Sequence, residues 1–302
     1  MKLGLSMKLP VMKVAVTGGS GNIGSGVVKA LKEAGHDLLS LDIRPPDTED
    51  VPFRVMDLRD RDSLRAALEG CDAVFHLGEI PNVGCDNSQH VYSHNTHVGS
   101  LVMETAADAG ARKIVYTSSC QVYGCWGADT GQLLPPVYLP LDEDHPLRAH
   151  SAYSLSKVAN ETYARLLSAR RGVSVAAFRF PFVYTPQIEQ HMIDHTLREP
   201  PRDLGRDGFG SIIHVGDAAA AYISILTWEW SGFEAFHFVE PTVVSRRPVR
   251  EVLLERFGHT PLPADWPADA SPVSTEKARR VLGWSPKHDF AELCRSAGVS
   301  AV

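Results

Sequence analysis

Tyr153 and Lys157 stand at i and i+4 in the run AYSLSKVANETYARLLSARRG. Residues so spaced share one face of a helix, which brings a phenol and an ammonium together. A cation beside a phenol favours the phenolate. A group that titrates near the working pH is an effective general acid–base. Tyr153 can then exchange a proton with a hydroxyl or carbonyl oxygen. The Y-x-x-x-K spacing alone arises on many helices by chance. Ser118 and Ser119 give it company, because they close an apolar run from Lys113 to Thr117 that reads as a strand. Its carboxyl edge is where open α/β sheets bind ligands. A hydroxyl at Ser119 can hydrogen-bond the reacting oxygen, although a loop-capping serine has the same appearance in sequence.

A second constellation lies near the start. The segment TGGSGNIG, Thr17 to Gly24, places glycines at 18, 21 and 24 between an apolar run and a helical pattern. Gly18 permits a tight turn, Gly21 lets the backbone approach a pyrophosphate, and Gly24 lets the helix lie close to the strand. Exposed N–H groups and the helix dipole favour phosphate there. Ser20, Asn22 and Ile23 belong to the same expected cofactor loop. Glycine clusters also serve ordinary turns, so the context carries the reading. Asp42 ends the next strand and can accept hydrogen bonds from both ribose hydroxyls of an adenosine. Its charge would repel a 2′-phosphate, so NAD is expected in preference to NADP. Arg44, close behind, is the residue that would favour the phosphate.

These residues need a scaffold, and the chain supplies one. Val11 to Val16, Asp37 to Asp42, Ala73 to Leu77, Lys113 to Thr117 and Ser174 to Phe178 read as strands. Asn22 to Ala34, Arg61 to Leu68, Val98 to Ala109 and Ala152 to Arg171 read as helices; Gly35, Gly110 and Gly172 end three of them. Strands alternating with helices imply a parallel sheet covered on both faces. The expected fold class is α/β, a Rossmann-type doubly wound parallel sheet with a smaller C-terminal substrate lobe. The expected division is 1–180 for the dinucleotide domain and 181–302 for the lobe, with some later segments returning to the sheet. After Pro181 prolines and loops become frequent, broken by a helix from Val215 to Thr227 and a strand near Ala235 to Val239.

Together the motifs resemble the extended short-chain dehydrogenase/reductase family, in its NAD-dependent sugar epimerase/dehydratase group, over nearly the whole chain. TGGSGNIG resembles T-G-x-x-G-x-x-G. Asp57-Leu58 resembles the adenine-contacting Asp-Leu pair, and His76-Leu77-Gly78 the H-L-A-A segment behind the cofactor. Asn95 resembles the asparagine of N-V-x-G-T, SSCQVYG resembles S-S-x-x-V-Y-G with Ser119 as its catalytic serine, and YSLSK resembles Y-x-x-x-K. RFPFVYTP resembles R-x-x-N-V-Y-G-P with Pro181 near the nicotinamide; IIHVGDAA and ARRVLGWSP resemble two later signatures. The resemblance implies a catalytic set of Ser119, Tyr153 and Lys157. It also implies cofactor contacts at Leu77, Gly78, Glu79, Asn95, Thr117 and Pro181, with Tyr153 and Lys157 among them. Substrate contacts are expected from Ser119, Cys120, Gln121, Phe182 and Tyr184. The implied function is hydride transfer on a sugar or nucleotide sugar, in the manner of a sugar 4-epimerase. A uronate-type sugar dehydrogenase is the alternative, on the H-L-G-x-I segment and a short lobe. A dinucleotide-binding regulator without turnover is the alternative of another class.

Some residues depart from the family pattern. Cys120-Gln121 stands where dehydratases carry Asp-Glu, so water elimination is not expected. Phe182 replaces an asparagine that helps hold a nucleotide sugar, Thr185 a glycine, and Gly216 an aspartate. His90, His94 and His97 could line a helix face, but no carboxylate or cysteine completes a ligand set, and no metal is expected. Arg198, Arg202 and Arg206 could neutralise an acidic substrate or simply be solvated.

Composition narrows the rest. The 302 residues carry a net charge of −6, which favours neither nucleic acid nor an anionic membrane as partner. The five cysteines, Cys71, Cys85, Cys120, Cys125 and Cys294, form no C-x-x-C pair and no disulfide framework, as expected of a reducing compartment. No run approaches the ~18 apolar residues of a membrane span, and no signal peptide is expected at the start. A cytoplasmic homodimer is the expectation, with the helices Val98–Ala109 and Ala152–Arg171 as its interface.

Overall fold

The structure is a computed structural model that describes residues 10–46, 51–81, 87–125, 134–198, 210–245 and 247–299. The readings made on Cys85, Arg202 and Arg206 lie outside these residues.

The chain begins with β1 (Lys13–Thr17), α1 (Asn22–Glu33), β2 (Asp37–Asp42), β3 (Phe53–Val55), α2 (Arg61–Leu68), β4 (Ala73–His76) and α3 (Ser88–Asp108). It continues through β5 (Lys113–Ser119), a 3-10 turn (Cys120–Tyr123), α4 (Ala152–Arg171), β6 (Ser174–Phe180), β7 (Phe182–Tyr184) and α5 (Pro186–Arg198). Then come β8 (Ile212–His214), α6 (Val215–Leu226), β9 (Phe233–His237), α7 (Val249–Arg256), α8 (Glu276–Leu282) and α9 (Phe290–Ser296). Seven strands form one parallel sheet in the order β3-β2-β1-β4-β5-β6-β9. The order reverses at β1, which has β2 on one side and β4 on the other. A ligand crevice opens at such a reversal, beyond the carboxyl ends of the strands.

Alternation along the strands explains the two layers of helices. Val14 and Val16 point to one face, with Phe75 and Phe178, against α1 and α6. Ala15, Val74, Ile114 and Tyr116 point to the other face, against α2, α3 and α4. Each fully buried side chain such as Leu31 or Phe75 contributes roughly 1.5–3 kcal/mol. On α1 the buried positions Val27, Val28 and Leu31 form one apolar stripe. Gly35 takes the C′ position at φ +77°, which ends that helix as expected.

Several expectations need correction. The third helix begins at Ser88, well before Val98, because Asn87 caps it by accepting the His90 N–H. The apolar period starts only further along. The strands at Lys113 and Ser174 run on to Ser119 and Phe180. The late strand lies at Phe233–His237, where it pairs with β6. After Pro181 the chain is more regular than expected: α5 starts on Pro186, a residue suited to the first helical position, and α7 to α9 follow. β7 and β8 form a second, two-stranded parallel sheet.

Candidate active site

The first turn of α4 is pinned by its own sequence. Ser151 and Ser154 form a reciprocal capping box, and the Ser154 hydroxyl also accepts the N–H of His150. Tyr153 sits inside that turn and Lys157 one turn on, with Nζ 5.4 Å from the Tyr153 ring centroid. Ser119 ends β5, and its Oγ accepts the Gln121 N–H to cap the 3-10 turn. All three border one cavity of about 1200 Å³.

The glycine loop closes the other end of that cavity. Gly18 has φ +71°, and a Cβ there would lie 2.6 Å from the Gly78 nitrogen. A Cβ on Gly24 would lie 2.0 Å from the Gly18 carbonyl oxygen. The two turns therefore touch backbone to backbone, as a pyrophosphate cradle requires. Gly21 begins α1 with no side-chain cap, which leaves helical N–H groups facing the cavity. Asp42 stands at the cavity, each oxygen accepting one backbone N–H, from Ser20 and Arg44. Such a loop with an acid at the next strand end fits a dinucleotide without a 2′-phosphate.

Of the remaining expected residues, Asn22, Ile23, Arg44, Asp57, Leu58, Leu77, Gly78, Glu79 and Thr117 line the cavity, as do Pro181, Cys120, Gln121 and Phe182. Arg59 hydrogen-bonds the Asp57 carboxyl and holds it at about 2. Burial pushes the Cys120 thiol up, and its Sγ donates to the Arg179 carbonyl. Three residues stand elsewhere. Ser20 braces the loop, its hydroxyl donating to the Arg44 carbonyl. Asn95 is buried with its amide engaged at the Ile80 backbone, accepting from N–H and donating to C=O. Tyr184, expected at the substrate, is fully buried against His214 and Phe290 instead, because β7 turns it into the lobe's core.

Sequence reasoning missed Ser211, Ile212 and Asn160, whereas His76 was expected behind the cofactor. His90 and His94 stack at 5.6 Å and line the cavity wall, whereas His97 is exposed. Ser211 and Ile212 reach the cavity because β8 pairs with β7. His76 lies behind the cofactor loop with Nδ1 2.6 Å from Thr17 Oγ1. Asn160 donates to Glu79 and to the Asn95 carbonyl. Gly99 was the available signal for this packing, since a Cβ there would meet Asn160 Nδ2 at 2.1 Å.

The model of the NAD dependent epimerase/dehydratase family matches residues 14–234. The chain belongs to that family. It is an enzyme of the NAD-dependent epimerase/dehydratase family, and NAD is its cofactor. It is 30% identical over 234 residues to a putative UDP-glucose 4-epimerase of Methanocaldococcus jannaschii, covering 72% of this chain and 74% of that one. It is 27% identical over 312 residues to the UDP-glucose 4-epimerase of Corynebacterium glutamicum, covering 92% of each. Its fold is similar to that of MoeE5 in complex with UDP-glucuronic acid and NAD, with a TM-score of 0.70, 28% identity, and 94% and 96% of the two chains covered. Among the described residues, no helix of this family member is long and apolar enough to cross a membrane, and no group of three His, Cys, Asp or Glu is placed to hold a metal.

Proposed function

We propose that the protein removes and returns hydrogen at a hydroxyl-bearing carbon of a sugar or nucleotide sugar, as a sugar 4-epimerase. The observation that carries this reading is that Ser119, Tyr153 and Lys157 border the same cavity as the glycine loop and Asp42. NAD, when bound, supplies the acceptor and donor of hydride. The chain's residues do the rest. The Gly18–Gly24 loop and the open N-terminus of α1 hold the pyrophosphate, and Asp42 holds the adenosine ribose. Lys157 has three N–H donors, of which Glu79 Oε2 and the Thr117 carbonyl take two; the remaining one serves the nicotinamide ribose. Tyr153 takes the proton from the substrate hydroxyl and gives it back, and Ser119 hydrogen-bonds the same oxygen. Cys120, Gln121 and Phe182 meet the sugar, and Phe182 is 56% exposed at the cavity. The dinucleotide part comprises 1–180 with the returning elements α6 and β9, and the rest of 181–302 forms the substrate lobe.

The names of the relatives support UDP-sugars as the first substrates to try. Purified protein is incubated with NAD and a panel of free and UDP-linked sugars, and both NADH absorbance and product stereochemistry are followed. An inverted stereocentre without net NADH supports the epimerase. Accumulating NADH establishes a dehydrogenase of the uronate type. Bound NAD with neither change across the panel supports a regulator. The protein is further proposed to be a cytoplasmic homodimer. Exposed Leu155 and Leu166 on α4 and Tyr92 on α3 give two neighbouring helices an outward apolar surface, and Cys71, Cys120, Cys125 and Cys294 are unpaired. A monomer in light scattering at micromolar concentration overturns the dimer.

A further inference from the structure

Behind Tyr153 and Lys157 lies a carboxylate, Glu79, that accepts from the Lys157 ammonium. The Glu79 side chain is 4% exposed, and its charge sits against Lys157, with Oε2 2.6 Å from Nζ. Asn160 Nδ2 donates to Oε1 at 2.9 Å, and the Tyr116 hydroxyl donates to Oε2 at 3.1 Å. His76 Nε2 faces Oε1 at 3.5 Å. A buried ion pair is weak evidence for stability, since apolar residues of equal volume often serve as well. This one is also accommodated at the expense of a neighbour: a Cβ on Gly99 would lie 2.7 Å from Glu79 Oε1. The helix opposite gives up its side chain to admit the pair at the cavity wall.

The Lys157 ammonium is held between Glu79 Oε2 and the Thr117 carbonyl, 5.0 Å from the Tyr116 ring and 5.4 Å from the Tyr153 ring. Its field reaches Tyr153 together with that of its counter-charge. The ionisable groups that act on the pair are His76, Tyr116 and Tyr153 beside it, His94 on α3 and Glu161 on α4. Burial is the largest single influence and opposes both charges, yet the neighbouring groups together outweigh it: Lys157 and His76 hold Glu79 below the usual carboxyl range, and Glu79 with Tyr153 and Glu161 holds Lys157 above the usual ammonium range. Both stay charged across neutral pH.

We propose that Glu79 is a positioning residue, which fixes the Lys157 ammonium and, as its counter-charge, limits how strongly Lys157 favours the Tyr153 phenolate. This rests on the role given to Tyr153 under the proposed function. A residue that takes a proton and must return it needs both of its forms within reach. A bare cation beside it would favour the phenolate alone, and Glu79 restores the balance.

The test needs neither substrate nor cofactor. The near-ultraviolet phenolate absorbance is followed against pH in the parent, and the Tyr153→Phe trace is subtracted to isolate Tyr153. Burial holds Tyr116, Tyr123, Tyr138, Tyr163, Tyr184 and Tyr222 above the usual phenol range, which keeps that difference clean. In Glu79→Gln the midpoint falls by on the order of one pH unit. In Glu79→Gln with Lys157→Met, which leaves no unpaired charge, it returns toward the parent. Glu79→Asp keeps a carboxylate and spares the fold; it moves the midpoint the same way by less. An unmoved midpoint in Glu79→Asp, or in a folded Glu79→Gln, overturns the proposal. A double variant that stays as low as Glu79→Gln overturns it too. NAD binding to the parent is measured in parallel by tryptophan fluorescence. Its absence would overturn the reading of the site as a cofactor site and leave the titration's result on Glu79 standing.

Discussion

Lys157 and Glu161 are one turn apart on α4, and each anchors a buried charge pair. Their surroundings differ. Glu161 accepts from Ser118 Oγ, Arg179 Nε and Arg179 Nη2, and neither it nor Arg179 has any exposed side chain. Arg179 Nη1 donates further to the Tyr123 hydroxyl and the Glu143 carbonyl. His237 joins through Tyr123, and burial followed by the Arg179 charge keeps its imidazole below its usual range, hence neutral. This network is sealed except at Ser118, which borders the cavity, and it engages four of the five Arg179 N–H donors. The Glu79–Lys157 pair borders the cavity and keeps one ammonium donor for a ligand. A network whose donors are engaged inside the fold specifies packing; one that keeps a donor at a cavity can do chemistry.

Variants can break that contrast, and the largest effect belongs to the open side. Tyr153→Phe is expected to lower turnover roughly 10²–10⁴-fold, with the urea unfolding midpoint unchanged; a parallel loss of stability would erase the distinction. On the sealed side, Arg179→Met leaves Glu161 as an unpaired buried charge and is expected to cost about 3–5 kcal/mol in urea unfolding. Adding Glu161→Leu should recover most of that loss, because the stranded charge is gone.

Glu240 offers a third case, a buried carboxyl that accepts N–H groups of Phe290 and His214 and pairs with no Lys or Arg among the described residues. Burial raises it from 4.5 to about 7. Between those values the folded chain keeps a proton that the unfolded chain has released. Stability therefore falls as pH rises through this window, by up to roughly 3 kcal/mol. Glu240→Gln should lack this component when unfolding at about pH 5 is compared with about pH 8. An identical pH dependence in parent and variant would refute it. The smallest effect separates two adjacent serines. Ser118→Ala removes one hydrogen bond to Glu161 and should cost about 1–2 kcal/mol of stability, whereas Ser119→Ala, which uncaps the 3-10 turn, should cost about 1 kcal/mol and also lower turnover.

The sequence made the cavity's two ends legible because their signals are local. Glycine spacing, an acid at a strand end and an i, i+4 pair are read within one element, and α2 and α4 lie where their periodicity puts them. The sealed network was not legible, since Ser118, Glu161 and Arg179 meet only once β5, α4 and β6 are assembled. Glu79 was expected at the cofactor, but nothing in its neighbourhood announces a partner as distant in sequence as Lys157. Tyr184 misled because an aromatic after a strand can face either way, and the three-residue strand β7 carries too little alternation to decide. The long polar start of α3 hid behind histidines and serines that break the apolar period.

The strand order also bears on how the protein is made. β6 is buried along its whole length, and its outer neighbour β9 comes from beyond α6. A nascent chain that has left the ribosome only as far as β6 carries every element of the Ser–Tyr–Lys set, yet presents a bare apolar strand edge. That edge stays open through the synthesis of β7, α5, β8 and α6, an interval in which a chaperone or a neighbouring chain can engage it. The residues proposed to do the chemistry are encoded early in translation, and the sheet that supports them is closed late.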